Sequence, residues 1–208
     1  MLEPSGFYYP NTFARAILLA VYDVMGRYGF SALEQQAQTA LPIPPDTLER
    51  AYDFAVLSAM GIGLEALYGK KGAFGIAKRV GMVAFVLGFK DFGALKGLGS
   101  RHARALPTRT QVALGLSALA GVFSHFSDQT STVQEEDDAF FFITAHSPFA
   151  YGRTNDRPTC AILSGMLEEC LRWATNGYTF YIRETHCRAC GEETCVFRIH
   201  KTALGEAR

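Results

Sequence analysis

The hydrophobic period of this chain changes once, near residue 132, and that change fixes the plan of the fold. Before it, apolar residues recur at helical spacing: Phe13, Ile17, Leu18, Val21 and Met25 share one stripe of 3.6-residue turns. After it, Ala139-Phe140-Phe141-Phe142-Ile143-Thr144-Ala145 is a short apolar and aromatic run that reads as a strand. Helices followed by strands give an α+β fold: N-terminal helices, then a β-β-α-β-β module with a small antiparallel sheet. With 208 residues, 49% of them hydrophobic, the chain can bury one core without disulfide help. A single domain over 1–208 is expected, helical over 1–131 and β-β-α-β-β over 132–202.

The helical part is punctuated by glycine and proline. Asn11 or Thr12 is placed to cap the first helix, Gly26 or Gly29 to end it, and a short helix from Ser31 to about Ala40 follows. Pro42, Pro44 and Pro45 interrupt the chain. Asp46 with Glu49 resembles a capping box for a helix to about Tyr68, broken at Gly69-Lys70-Lys71-Gly72. An apolar helix to about Phe89 precedes a loosely wound segment, Asp91 to Gly99, and Thr108 is placed to cap a long helix carrying His125. In the module, Val133 to Asp138 reads as a strand and acidic turn, Cys160 to Thr175 as an amphipathic helix, and Tyr178–Thr185 and Thr194–His200 as strands. The tail from Leu204 is expected to fray.

Charge removes several classes of partner. Twenty basic and twenty acidic residues cancel, so no global field draws the protein to nucleic acid. The start of the chain shows neither a secretory signal nor a transit peptide, so a cytoplasmic location is expected. The longest uncharged run, Thr110 to Ser127, contains Gln111, Ser117, Ser124 and His125; no transmembrane span is expected there, which leaves peripheral contact with a membrane. A 12% aromatic content with sixteen Phe suggests an apolar cavity or an interface.

Four of five cysteines fall in the last 39 residues, a pattern that fits thiols at a metal site better than a disulfide frame. Two tetrads compete. Cys187, Cys190, Cys195 and His200 would form a local zinc knuckle, but a strand over Val196 to Ile199 carries His200 roughly 16 Å from Cys195, too far for one ion. Cys160 at a helix start, Glu184 and Cys187 at the end of one strand and Cys195 at the start of the next would form a distributed site. Three sulfurs and a carboxylate suit closed, tetrahedral zinc.

Cys160 followed by Glu184-x-x-Cys187-x3-Gly191-x3-Cys195-x-Phe197 resembles the signature of the 4-vinyl-reductase-like domain, also found as the sensor of some phenol-responsive transcription activators. Leu2 to Pro10, Asp53-Phe54-Ala55, Phe92 to Leu95, Phe126 to Gln129 and Tyr151-Gly152-Arg153 are similar to its stand-alone members in photosynthetic bacteria and cyanobacteria. The resemblance implies a ligand-binding fold like those of NO-signalling and Golgi-transport proteins, zinc on the distributed tetrad, and a homodimer. It also implies a role in bacteriochlorophyll 4-vinyl reduction, chlorophyll handling or photosystem II assembly, with assembly proteins as partners at a photosynthetic membrane. Where some relatives carry Cys-Pro-x-Cys, this chain has Ser147-Pro148-Phe149-Ala150, so a second thiol site is absent.

No dinucleotide or phosphate loop is present: Gly61-x-Gly63 sits inside an apolar helix and Gly97-x-Gly99 lacks a preceding strand. The residues therefore favour binding of a hydrophobic small molecule, with a chlorophyll-type tetrapyrrole as the candidate, over catalysis. Phe123, Phe140, Phe142, Met166 and Trp173 are candidate pocket residues, with His125 or His146 as an axial base. Lys70-Lys71 and Lys78-Arg79 form a solvated face or meet pigment carboxylates or lipid headgroups. The rivals are a vinyl reductase of a chlorophyll precursor fed by an external reductant, and an assembly scaffold that binds no pigment.

Overall fold

The computed structural model describes residues 3–206. In chain order these form β1 (Tyr8–Pro10), α1 (Asn11–Ala37), β2 (Arg50–Asp53) and α2 (Phe54–Ala84), the last continued by a wider turn over Phe85–Phe89. A 3₁₀ segment (Gly93–Gly99) follows, then α3 (Arg101–Arg104), α4 (Thr108–Phe126), β3 (Ser131–Glu135), β4 (Ala139–Thr144), α5 (Ala161–Ala174), β5 (Tyr178–His186) and β6 (Cys195–Glu206). The α+β fold is as expected. The module's four strands form one antiparallel sheet in the order β3-β4-β6-β5, so β5 is an edge.

The period-2 pattern of β4 sets the sheet's inner face. Phe140 lies opposite Ile199, Phe142 opposite Phe197 and Thr144 opposite Cys195, and all six are buried. α5 packs on this face and against α2. Its crossing with α2 is close: a Cβ at Gly81 would lie 1.9 Å from the Ile162 carbonyl oxygen, and one at Gly165 1.9 Å from that of Lys78.

Several local expectations are corrected. α1 and α2 are each bent rather than ended: Gly26 (φ 69°) and Gly69 (φ 67°) leave helical geometry for one residue and the helix resumes. Asn11 does not cap α1; it is already helical, and its amide donates to Thr47 Oγ1. Thr108 likewise gives no capping hydrogen bond to α4. Asp46 and Glu49 form no capping box. Residues 50–53 instead pair with β1, and Asp53 caps α2 by accepting from the Ala55 N–H at 2.8 Å. β6 runs through Leu204 to Glu206 rather than fraying, while Met1, Leu2, Ala207 and Arg208 lie outside the described residues.

α1, and α2 with its continuation, are long and apolar enough to cross a membrane by length and composition. Core helices pass the same test, and these two pack on each other around Phe13, Ile17, Leu33, Leu57 and Met60, all at most 1% exposed.

Candidate metal centre and adjoining cavity

Four elements converge on one point. The loop after β4 delivers Cys160 to the residue before α5. β5 carries Glu184, and Cys187 follows its end. A turn over Arg188–Cys190, closed by Gly191 at φ 94°, a left-handed position that glycine adopts without cost, sends the chain back to Cys195 at the start of β6. The ligand atoms of Cys160, Glu184, Cys187 and Cys195 all lie within 4.8 Å of one another.

The Cys160 and Cys195 sulfurs are 3.5 Å apart and those of Cys195 and Cys187 4.0 Å. These values bracket the edge of about 3.8 Å that a tetrahedron of thiolates has around zinc at about 2.3 Å. Donors point into the cluster as they would toward anionic ligands: the Arg188 N–H to Cys195 Sγ at 3.4 Å and the Cys160 N–H to Glu184 Oε2 at 3.1 Å. Glu184 Oε1 is buried with no hydrogen-bond partner. Such a carboxylate oxygen costs on the order of 1–3 kcal/mol or more unless something meets it, and a cation within reach of three thiols does.

Protonation points the same way. Burial pushes the Cys160 thiol well above its ordinary range, helped by its hydrogen bonds with Cys187 and Cys195. Burial, then the neighbouring Cys187 charge, lifts Glu184 to about 9. Cys187 falls far below the usual thiol range because Cys160 and Cys195 hydrogen-bond to it. Four acids in one dry space thus retain protons and concentrate charge on one sulfur unless a cation takes the protons' place. The cluster can hold a metal ion, and its residues fit zinc.

The competing knuckle is excluded by the strand it needed broken. His200 lies on β6 opposite Ala139, against the Tyr181 ring and in contact with Arg198. Cys190 is exposed in the turn and outside the cluster. Ser147, which stands where some relatives have a cysteine, is 3.1 Å from Cys160 Sγ.

A cavity of about 540 Å³ adjoins the cluster, between α2, the start of α5, the loop before it and the edge strand β5. Leu64, Ala73, Ala77, Phe149, Ile162 and Ile182 form its apolar surface, and Glu184 belongs to both cavity and cluster. Arg153 runs along one wall with its side chain 5% exposed, paired with Glu65 at 2.7 Å. Gly61 leaves room for it, since a Cβ there would lie 2.7 Å from Arg153 Nη1.

The pocket expected from aromatic content lies elsewhere than the residues named for it. Phe123, Phe140, Phe142 and Met166 are closed in the core, Phe123 against Tyr9, Phe13 and Phe89. Trp173 packs at the core's edge between Lys90 and Arg104, its Nε1 buried and unpaired. His125 is exposed, and His146 stacks on Phe7 at 4.4 Å with Arg188 on its Nδ1. None of the seven lines the cavity beside Glu184. The loop and edge-strand residues that do line it carried no periodic signal.

The family model of the vinyl-4-reductase domain matches residues 140–201. The chain carries a vinyl-4-reductase-like domain. That stretch holds all four residues of the cluster. No curated protein matches the sequence. Among solved structures, an Fe(II) unliganded H-NOX protein from K. algicida superposes with a TM-score of 0.59 at 11% identity, over 96% of this chain and 98% of that one. The phenol-responsive sensory domain of the transcription activator PoxR, solved with phenol, gives 0.50 at 18% identity over 82% and 89%. A vinyl-4-reductase family protein from Methanocaldococcus jannaschii aligns at 17% identity and a TM-score of 0.37, covering 47% of this chain and 65% of its own length. At these identities the H-NOX and sensor likenesses show the fold alone: the helices and the vinyl-4-reductase-like domain together follow the H-NOX-like α+β arrangement.

Proposed function

We propose that this protein binds an apolar small molecule in the cavity beside Glu184, next to a structural zinc centre, and that chlorophyll-type tetrapyrroles are the class it takes. The observation that carries the reading is the shared residue: Glu184 closes the metal tetrad and also forms part of the cavity wall. Four protein ligands leave zinc no open position, so the ion acts by pinning α5 to the β5–β6 turn and shaping that wall rather than by reacting. The cavity's volume falls within the few hundred to about 1,000 Å³ usual for small-molecule sites, and its surface is mainly apolar with few polar groups. The tetrapyrrole assignment draws on the resemblance to the stand-alone domains of photosynthetic organisms.

The test is an absorption titration of zinc-replete protein with monovinyl and with divinyl chlorophyllide, repeated on Ala77→Phe, which fills the cavity. A saturable shift of the long-wavelength band that Ala77→Phe removes is expected. No saturable shift, or one that survives Ala77→Phe, would contradict the proposal.

A further inference from the structure

The charges around the cavity are unequal in a way its metal neighbour does not absorb. Five cations line it: Lys70, Lys71, Arg153, Arg157 and Arg183. Two are neutralised within the chain, Lys70 by Asp156 and Arg153 by Glu65. Lys71, Arg157 and Arg183 have no carboxylate within salt-bridge distance among the described residues, and all three are exposed, so they stand at the rim. They come from three separate elements, α2, the loop before α5, and β5, so no single solvated helix face accounts for them. The rim also carries two exposed aromatics, Phe74 at 48% and Tyr181 at 46%. The net charge of the whole chain is zero, so this excess is local.

An apolar floor with unpaired cations at the mouth complements a molecule that has an apolar body and an anionic end. We propose that the cavity selects amphipathic anions, molecules whose flat apolar part enters between Leu64, Ala77 and Ile162 while a carboxylate or sulfonate stays at the rim against Lys71, Arg157 and Arg183. The proposal rests on the cavity being the ligand site and adds the chemical class of the ligand. Binding to the rim is screened by salt, because these cations are exposed.

Two fluorescent probes that share one aromatic body test it: 1-anilinonaphthalene-8-sulfonate, which is anionic, and N-phenyl-1-naphthylamine, which is neutral. Each is titrated into the zinc-replete wild type, into the combined Lys71→Gln, Arg157→Gln, Arg183→Gln variant, and into Ala77→Phe, with Ala73→Phe as a second cavity-filling variant. The expected result is that the sulfonate binds the wild type at least about tenfold more tightly than the neutral probe, a preference of about 1.4 kcal/mol. The triple variant should lose that preference while keeping the neutral probe's affinity, its zinc content and its circular dichroism. Neutral binding that the filling variants block, with no gain from the sulfonate, would overturn the anion proposal and leave the cavity standing as the site. A sulfonate preference that survives in the triple variant would overturn it as well. Binding of both probes that neither filling variant alters would overturn this proposal and the cavity reading together. Loss of zinc in the triple variant would assign the three cations to balancing the metal centre's charge, and would overturn their role at the rim.

Discussion

Glu184 combines two positions that a carboxylate seldom holds together: one oxygen accepts from the Cys160 N–H, and the other is buried beside three sulfurs with no partner. Glu184→Gln preserves the shape and the first contact but removes the charge that a metal needs. Loss of an outer partner alone weakens metal affinity by about 10- to 100-fold, and loss of a ligand should do at least as much; competition with a chromophoric chelator at neutral pH measures it. Protons compete for the same atoms. Because every ligand binds metal in its deprotonated form, zinc affinity should fall as pH falls, and with it the stability of the loaded protein. Unfolding followed from pH 7.5 to pH 5 in zinc-buffered solution should show a falling midpoint. At this scale the sequence was informative for the ligands and misleading for the pocket. Spacing around Gly191 named Glu184, Cys187 and Cys195, whereas aromatic content pointed to Phe140 and Phe142, which the inner face of the sheet consumes as core.

The crossing of α2 on α5 is the contact that holds the helical layer to the module. Gly81→Ala or Gly165→Ala would drive a methyl group into an opposing backbone carbonyl and should destabilise the protein by about 1–3 kcal/mol or more. Gly75 is the matched control: it is helical, exposed and has nothing within 4 Å of its Cβ position, so Gly75→Ala should stabilise by about 0.5–1 kcal/mol. Urea denaturation of the three variants compares them. Element types were readable from period and composition for α4, α5, β3, β4 and β5. The two-stranded pair was not, because β1 and β2 have three and four residues, too short for alternation to register. The same shortness misplaced the cap of α2, since Asp53 ends a strand and starts a helix in one residue. Asp53 also accepts from the Ser5 N–H at 3.0 Å, and Asp128 from the Tyr8 N–H at 2.7 Å. The N-terminal segments that resemble relatives therefore tie the chain's start to its helices rather than line the cavity.

Across the whole molecule, metal and ligand sites are neighbours built from the least regular parts of the chain, and their relation was legible only in part. The sequence could place three cysteines and a glutamate in one cluster because a turn and a helix start bring them together locally. It could not place the cavity, whose walls come from α2 and from residues about ninety positions later. The coupling has a thermodynamic consequence: removing zinc with a chelator should lower the unfolding midpoint and raise amide exchange in residues 155–165 and 182–197 before α1 is affected. Hydrogen exchange read by mass spectrometry, with and without chelator, resolves those segments. The most direct test of the account is elemental analysis of purified wild type and of Cys160→Ser, Cys195→Ser, Cys190→Ser and His200→Ala. The distributed centre predicts about one zinc per chain in the wild type, loss in the first two variants and retention in the last two. Retention in Cys160→Ser with loss in Cys190→Ser or His200→Ala would contradict it.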